Sequence, residues 1–249
     1  MKVNKVAIVT GGSNGIGLSI ARQLVDEQME VVIIGRNLDK LKKACEELGS
    51  HCRYCQADVS NQQEVKECIN KVINDLGRID ILVNNAGIIQ LVSTELALSD
   101  ADRLWDEVID TNLKGAMLMT VASAEHLKKT KGKIVNISSI GAFTGGSGKG
   151  SLVYSSSKAG VNGLTYATAR ELSPFGINVN AVAPGVIRET NFNGGFNEEN
   201  EKLYTQQIPI GRIGEPEDVA NAVSFLVSEA ATYINGEVMN VNGGWLFGR

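Results

Sequence analysis

Short runs of aliphatic and β-branched residues alternate along the chain with longer stretches whose apolar positions recur every three or four residues. Lys5–Thr10 (Lys-Val-Ala-Ile-Val-Thr) is too short for a helix and fits a strand buried on both faces. Glu30–Gly35, Arg53–Ala57, Ile79–Val83, Lys133–Ile137, Ile177–Val182 and Glu237–Val241 repeat that pattern and predict further strands. Between them, Leu18, Ile20, Ala21, Leu24 and Val25 fall at helical spacing, as do Leu41, Ala44, Cys45 and Leu48 within Leu38–Leu48. Helix is also predicted over Gln62–Leu76, where Ser60-Asn61 supplies a cap, and over Asp100–Lys129 with a break near Thr111. Two more helices are expected, one running through Tyr154 to Leu172 and one over Glu215–Ser228, where Pro216 occupies an early helical position that needs no N–H.

This alternation predicts an α/β protein: a single Rossmann-type doubly wound domain over residues 1–249, with a parallel seven-stranded sheet flanked by helices on both faces. No linker, repeat or charge block divides the chain. Ligands in such sheets bind beyond the carboxyl ends of the strands, where strand order switches, so the loops after strands carry the interest. A hydrophobic content of 43% supports one large core. No apolar run is long enough for a membrane span, and the first strand follows Met1 too closely for a signal peptide, so the cytoplasm is expected. A net charge of −4 argues against nucleic acid as a partner. The four cysteines cluster at Cys45, Cys52, Cys55 and Cys68; without a second Cys-x-x-Cys they read as reduced thiols rather than metal ligands, and no metal is expected.

Directly after the first strand stands Gly11-Gly12-Ser13-Asn14-Gly15-Ile16-Gly17, and a helix follows. Strand, glycine turn and helix is the arrangement a dinucleotide requires. Glycines let backbone approach a pyrophosphate, and the helix N-terminus offers unpaired N–H groups with a partial positive charge. The end of the second strand bears on cofactor choice. An acidic residue there bonds the ribose hydroxyls and repels a 2′-phosphate. Here the chain reads Ile34-Gly35-Arg36-Asn37, with no carboxylate at Gly35 and an arginine suited to pairing a phosphate. Ser13 and Asn37 add possible hydrogen bonds. NADP(H) is therefore expected in preference to NAD(H).

Tyr154 and Lys158 lie four apart in a predicted helix, on one face and a turn from each other. An ammonium near a phenol favours the phenolate and lowers the phenol's pKa toward the operating pH, where a general acid works best. The pair suits proton exchange with an oxygen bound between them.

Together these segments resemble the short-chain dehydrogenase/reductase family over essentially the whole chain. The ordered motifs are Thr10-Gly11-x-x-x-Gly15-Ile16-Gly17, Asp58-Val59, Asn84-Asn85-Ala86-Gly87, Asn112, Ser138-Ser139, Tyr154-x-x-x-Lys158 and Pro184-Gly185. The nearest sub-group in look is the bacterial 3-oxoacyl-carrier-protein reductases and related ketone reductases. The resemblance implies that Tyr154 protonates the carbonyl oxygen, that Lys158 lowers its pKa and holds the nicotinamide ribose, and that Ser139 polarises the carbonyl. It gives Asn112 a water that links Lys158 to solvent. Asn85, Ala86 and Gly87 would let the cofactor pass close to backbone, and Asp58-Val59 would meet the adenine. Pro184, Gly185, Ile187 and Thr190 would flank the nicotinamide. Ser138 reads as structural.

Two departures from the sub-group stand out. The segment between Ser139 and Tyr154 is longer, the excess falling in the glycine-rich stretch Gly145–Gly150. The threonine after Pro184-Gly185 falls one position late, at Thr190, which puts its bond to the carboxamide in doubt while leaving the Ile187 backbone to serve. Residues 189–207 read as a substrate lid, with Phe192, Phe196, Leu203 and Tyr204 to cover a ligand. The arginines with which the carrier-protein reductases dock their carrier are replaced by Thr130 and Phe175, though Lys128, Lys129 and Lys131 adjoin. The expected function is an NADP(H)-dependent oxidoreductase interconverting a secondary alcohol and a ketone, a small molecule left open among ketone, sugar, polyol, steroid and acyl chain. A 3-oxoacyl-carrier-protein reductase is the alternative within the class, and a catalytically silent nucleotide-binding protein is the rival from another class. Apolar residues on more than one face of the two long helices, with the resemblance, imply a homotetramer.

Overall fold

Val6–Thr10 forms β1, and its side chains alternate between two cores: Ala7 and Val9 point to one face of the sheet, Val6 and Ile8 to the other. The computed structural model describes residues 4–146, 148–188 and 198–247, without the side chains of 198–200. After β1 come α1 (Gly15–Asp26), β2 (Glu30–Gly35), α2 (Leu38–Leu48), β3 (Cys52–Gln56), α3 (Gln62–Leu76) and β4 (Ile81–Asn84). Next are α4 (Leu98–Ile109), a π-helical turn at Asp110–Lys114, α5 (Gly115–Thr130), β5 (Lys133–Ile137), the short α6 (Gly141–Thr144) and α7 (Leu152–Leu172). The described chain ends with β6 (Asn178–Pro184), α8 (Glu198–Gln207), α9 (Pro216–Val227) and β7 (Val238–Val241).

The strands pair in parallel in the order β3-β2-β1-β4-β5-β6-β7, confirming the single doubly wound sheet. The order reverses between β1 and β4, so the crevice for a ligand opens beyond Thr10 and Asn84. One core packs Leu24, Leu41, Val219 and Val223 of α1, α2 and α9 against the sheet. The other packs Val65, Ile69, Met119, Leu127 and Leu172 of α3, α5 and α7 against its opposite face. Each such side chain contributes about 1.5–3 kcal/mol through its removal from water.

The expected helix over Asp100–Lys129 is interrupted where its break was predicted: the π turn spans Thr111 and carries Asn112 inward, only 2% exposed. Such turns are common at functional sites. Strand edges moved by one or two residues. Ile79 and Asp80 are buried but precede β4, whose pairing with β1 begins at Ile81 opposite Ala7. Among the described residues, no helix is long and apolar enough to cross a membrane.

Candidate active site

The turn after β1 is locked from two sides. Thr10 Oγ1 accepts the N–H groups of Asn85 and Ala86, both at 2.9 Å, and the Asn85 amide donates to the carbonyls of Thr10 (2.9 Å) and Gly11 (3.3 Å). The close approach admits no side chain at Gly17, where a Cβ would lie 2.2 Å from the Gly11 carbonyl oxygen. Gly11 itself has φ +66°, a conformation that favours glycine. Asn14, at the N-cap of α1, makes no side-chain bond to the first turn, which leaves that turn's N–H groups to a ligand.

From this turn a cavity of about 580 Å³ runs across the switch point to the catalytic helix. Gly11, Asn14, Gly15, Ile16 and Gly17 line one end. Asn85, Ala86, Gly87, Pro184, Gly185 and Ile187 line its middle, and Ser139, Tyr154 and Lys158 lie beyond. A dinucleotide fits these residues: the glycine turn is open to an approaching phosphate, and a Cβ at Gly87 would stand 3.5 Å from Lys158 Nζ.

Ser139 Oγ accepts from the Gly141 N–H at 3.0 Å, which orients the hydroxyl toward Tyr154, whose phenol it bonds. Burial holds the Tyr154 pKa above its usual range, and the Ser139 bond opposes that shift. Spacing alone places the ammonium a turn away, but Lys158 Nζ donates to the Ile137 carbonyl at 2.7 Å and stands 5.9 Å from the phenol ring centre. Burial in turn brings the Lys158 pKa down to about 8.

A water-holding role is expected of Asn112; the structure engages its amide with protein. Nδ2 donates to the Ile88 carbonyl and to Ser157 Oγ, each at 3.0 Å, and Oδ1 accepts the Ile88 N–H at 2.8 Å. Asn112 thereby clamps the loop after β4 to α7. Ser138, read as structural, donates its hydroxyl to Asn162 Oδ1 at 2.6 Å and also lines the cavity.

The adenosine end is assembled less tightly. Arg36 is exposed, with Nη1 3.7 Å from Asp58 Oδ2. Asp58 Oδ1 accepts from the Ser60 N–H and hydroxyl at 2.9 and 2.7 Å, so Asp58 also caps the turn after β3. Asn37 caps α2 by accepting the Lys40 N–H at 2.9 Å. The Val59 side chain lies in the core against Gly115 rather than in the cavity. A Cβ at Gly35 would come 4.0 Å from Ser13 Oγ, so the end of β2 and the glycine turn adjoin as a ribose site needs. Thr190, Phe192 and Phe196 lie outside the described residues.

Sequence reading missed much of the far wall. Thr144, Gly146, Ser151, Gln207 and Trp245 line the cavity with Tyr204. Tyr204 and Trp245 meet edge to face, ring centres 5.8 Å apart. The aromatic after Gly243-Gly244 was the available signal for Trp245. Arg188 ties α8 to this wall through Glu201 (2.6 Å) and to the start of α9 through Glu215 (2.9 Å). Among the described residues, no group of three or more His, Cys, Asp or Glu side chains is placed to hold a metal ion.

A family model described as enoyl-(acyl carrier protein) reductase matches residues 11–246. The chain is 42% identical over 246 residues to the 3-oxoacyl-(acyl-carrier-protein) reductase of Aquifex aeolicus, covering 96% of either chain. It is 42% identical over 249 residues to the enzyme of that name from Staphylococcus aureus strain Mu50, covering 98% of this chain and 99% of the other. The Rickettsia prowazekii enzyme of that name is 40% identical over 243 residues, 97% of each. With the glycine turn, Ser139, Tyr154 and Lys158 gathered around one cavity, these matches place the chain in the short-chain dehydrogenase/reductase family, nicotinamide-dependent oxidoreductases acting on CH–OH and C=O groups.

Proposed function

We propose that the chain is an NADP(H)-dependent ketone reductase, acting in the cytoplasm as a homotetramer. The observation that carries this is a single cavity joining the glycine turn to Ser139, Tyr154 and Lys158. Bound nicotinamide supplies the hydride. The chain's residues do the rest. Ser139 and Tyr154 bond the substrate oxygen, and Tyr154, kept neutral by burial, holds the proton that this oxygen takes up. Lys158 supports the negative charge left on the phenol and holds the ribose beneath the ring. Asn112 positions Lys158's surroundings through Ile88 and Ser157.

NADP(H) is supported by Arg36, exposed and loosely paired, and by the absence of a carboxylate at Gly35. Asp58 and Asn37 accept the remaining adenosine contacts beside their capping bonds. Of the expected lid, residues 189–197 lie outside the described residues; the described part, α8, lines the cavity with Tyr204 and Gln207 and supports this role. The tetramer is supported by exposed apolar side chains on α5 and α7: Met117, Val121, Leu152 and Tyr166. Light scattering tests it, and a monomer mass would remove this part. Free thiols at all four cysteines agree with a reducing compartment.

A 3-oxoacyl chain on a carrier protein is the substrate favoured by the names of the relatives. Lys128, which lies over the Phe175 ring at 4.4 Å, with Lys129 and Lys131, offers an acidic carrier a basic, partly apolar ledge at the end of α5. The test is oxidation of NADPH and NADH with 3-oxoacyl thioesters and a panel of simple ketones. Turnover of NADPH with the thioesters is expected. Nucleotide binding without turnover of any carbonyl would leave the silent binding protein. Arg36→Asp should swing kcat/KM toward NADH by roughly 10–100-fold, the worth of one charge-assisted hydrogen bond. An unchanged ratio would remove Arg36 from the phosphate site.

A further inference from the structure

All four cysteines of the chain sit in two thiol pairs, one on each face of the edge strand β3. Cys52 opens β3 and faces the core that contains α2, where its Sγ lies 2.9 Å from Cys45 Sγ in the last turn of that helix. Cys55, three residues on, faces the opposite core and is hydrogen-bonded to Cys68 of α3. Neither pair lines the catalytic cavity. In each pair one thiol is the more accessible: Cys45 is half-buried where Cys52 is buried, and Cys55 is 9% exposed where Cys68 is 2%. Cys55 and Cys68 both line a surface groove of about 370 Å³ with Tyr54, Glu64, Glu67 and Lys71.

We propose that Cys45–Cys52 and Cys55–Cys68 are two oxidation sites that take a hydroperoxide and close to intramolecular disulfides, pinning β3 to both neighbouring helices. The Cys45 or Cys55 thiolate attacks a peroxide oxygen, the O–O bond breaks, and hydroxide leaves with the electron pair, giving a sulfenic acid. The sulfur of Cys52 or Cys68 then attacks the sulfenic sulfur. The S–O bond breaks and the departing hydroxide takes the thiol proton as water. Each cycle oxidises two thiols by two electrons and reduces hydrogen peroxide to two waters. The electrostatics agree with these roles. The bond from Cys52 lowers the Cys45 pKa, and the bond from Cys68, helped by Lys71, brings Cys55 to about 7, while Cys52 and Cys68 are pushed up.

The test treats the folded full chain with hydrogen peroxide, blocks remaining thiols with maleimide, and maps peptides without reduction. Cys45–Cys52 and Cys55–Cys68 cross-links are expected, with loss of two hydrogens per pair and no maleimide uptake. Sulfinic acids in place of cross-links, Cys52–Cys55 linkages, or the same products at the same rate from the chain unfolded in guanidinium would overturn the proposal. Cys52→Ser should still form Cys55–Cys68 and leave a sulfenic acid at Cys45 that dimedone traps. No adduct at Cys45 would overturn its role. None of these readouts depends on the reductase reading, because none measures catalysis.

Discussion

The two ends of the catalytic cavity are built on different principles. At the nucleotide end the surface is backbone, and the side chains that matter point away from the ligand to hold that backbone: Thr10 receives two N–H groups and Asn85 bonds two carbonyls. At the substrate end the surface is side chains brought from distant loops, namely Thr144, Ser151, Gln207 and the Tyr204–Trp245 pair. The first construction has no slack, because a Cβ at Gly17 would collide with the Gly11 carbonyl at 2.2 Å. The second changes shape with every substitution in its wall. A fold that keeps one end fixed and leaves the other variable serves many substrates with one chemistry.

Tyr154 belongs to neither end and stands where they meet, so its loss gives the largest effect. Tyr154→Phe removes the proton donor while keeping the ring, and kcat should fall about 10²–10⁴-fold with NADPH affinity little changed. Stopped-flow reduction and fluorescence titration of NADPH separate the two. A rate within a few-fold of the parent would transfer the acid role elsewhere.

Gly17→Ala tests the rigid end. Overpacking of this kind costs about 1–3 kcal/mol, which should appear as a lower Tm and as NADPH binding weakened by roughly 10–100-fold. Gly146→Ala in the variable wall is strained too, because Gly146 has φ +95° and a Cβ there would meet Ser151 at 2.3 Å, but this strain lies away from the glycine turn, so Tm should fall while NADPH affinity stays unchanged. Equal losses of affinity at both positions would erase the contrast between the two ends.

That contrast also explains what the sequence discloses. A two-sided buried strand followed by Gly11, Gly15 and Gly17 is a local pattern, because the ligand there meets consecutive backbone. Tyr154 and Lys158 are legible for the same reason, both standing on one turn of helix. Trp245 is not, since its place depends on how Asn242 and two glycines fold the chain back toward Tyr204. Spacing also could not show where the Lys158 ammonium goes. The carbonyl of Ile137, on a different element, decides that. Asn37 and Val59 show a further limit, since capping and core packing occupy side chains that motif reading assigns to the cofactor, whereas Asp58 takes the cap after its strand that its position equally allows.

The junction of the two ends has its own pH dependence, carried by Lys158. Its pKa of about 8 lies below the ordinary lysine value, so the side chain is cationic below pH 8 and loses its proton as pH rises through that point. Ketone reduction needs the cation, and kcat/KM should therefore be flat below pH 8 and fall about tenfold per unit above it. Stability responds with the opposite sign. Between about pH 8 and the ordinary lysine pKa the unfolded chain binds more protons than the folded one, so this group's contribution grows as pH rises through that window. Lys158→Met should abolish the activity limb and flatten the corresponding part of the stability profile. An unchanged limb in that variant would assign it to another group.

The smallest effect is expected at the variable wall. Trp245→Ala removes the edge-to-face partner of Tyr204, an interaction worth about 0.5–1.5 kcal/mol beyond its buried area. The wall then loses one of its two large planar faces, while Arg188 still holds α8 through Glu201. KM for long or bulky ketones should rise a few-fold to about tenfold, KM for the smallest ketones should change little, and NADPH affinity should stay constant. That graded response separates a pocket wall from a structural aromatic, whose loss would lower Tm and reduce activity toward every substrate alike. If small and large ketones lose equally, Trp245 supports the fold of the C-terminal segment and does not select the substrate.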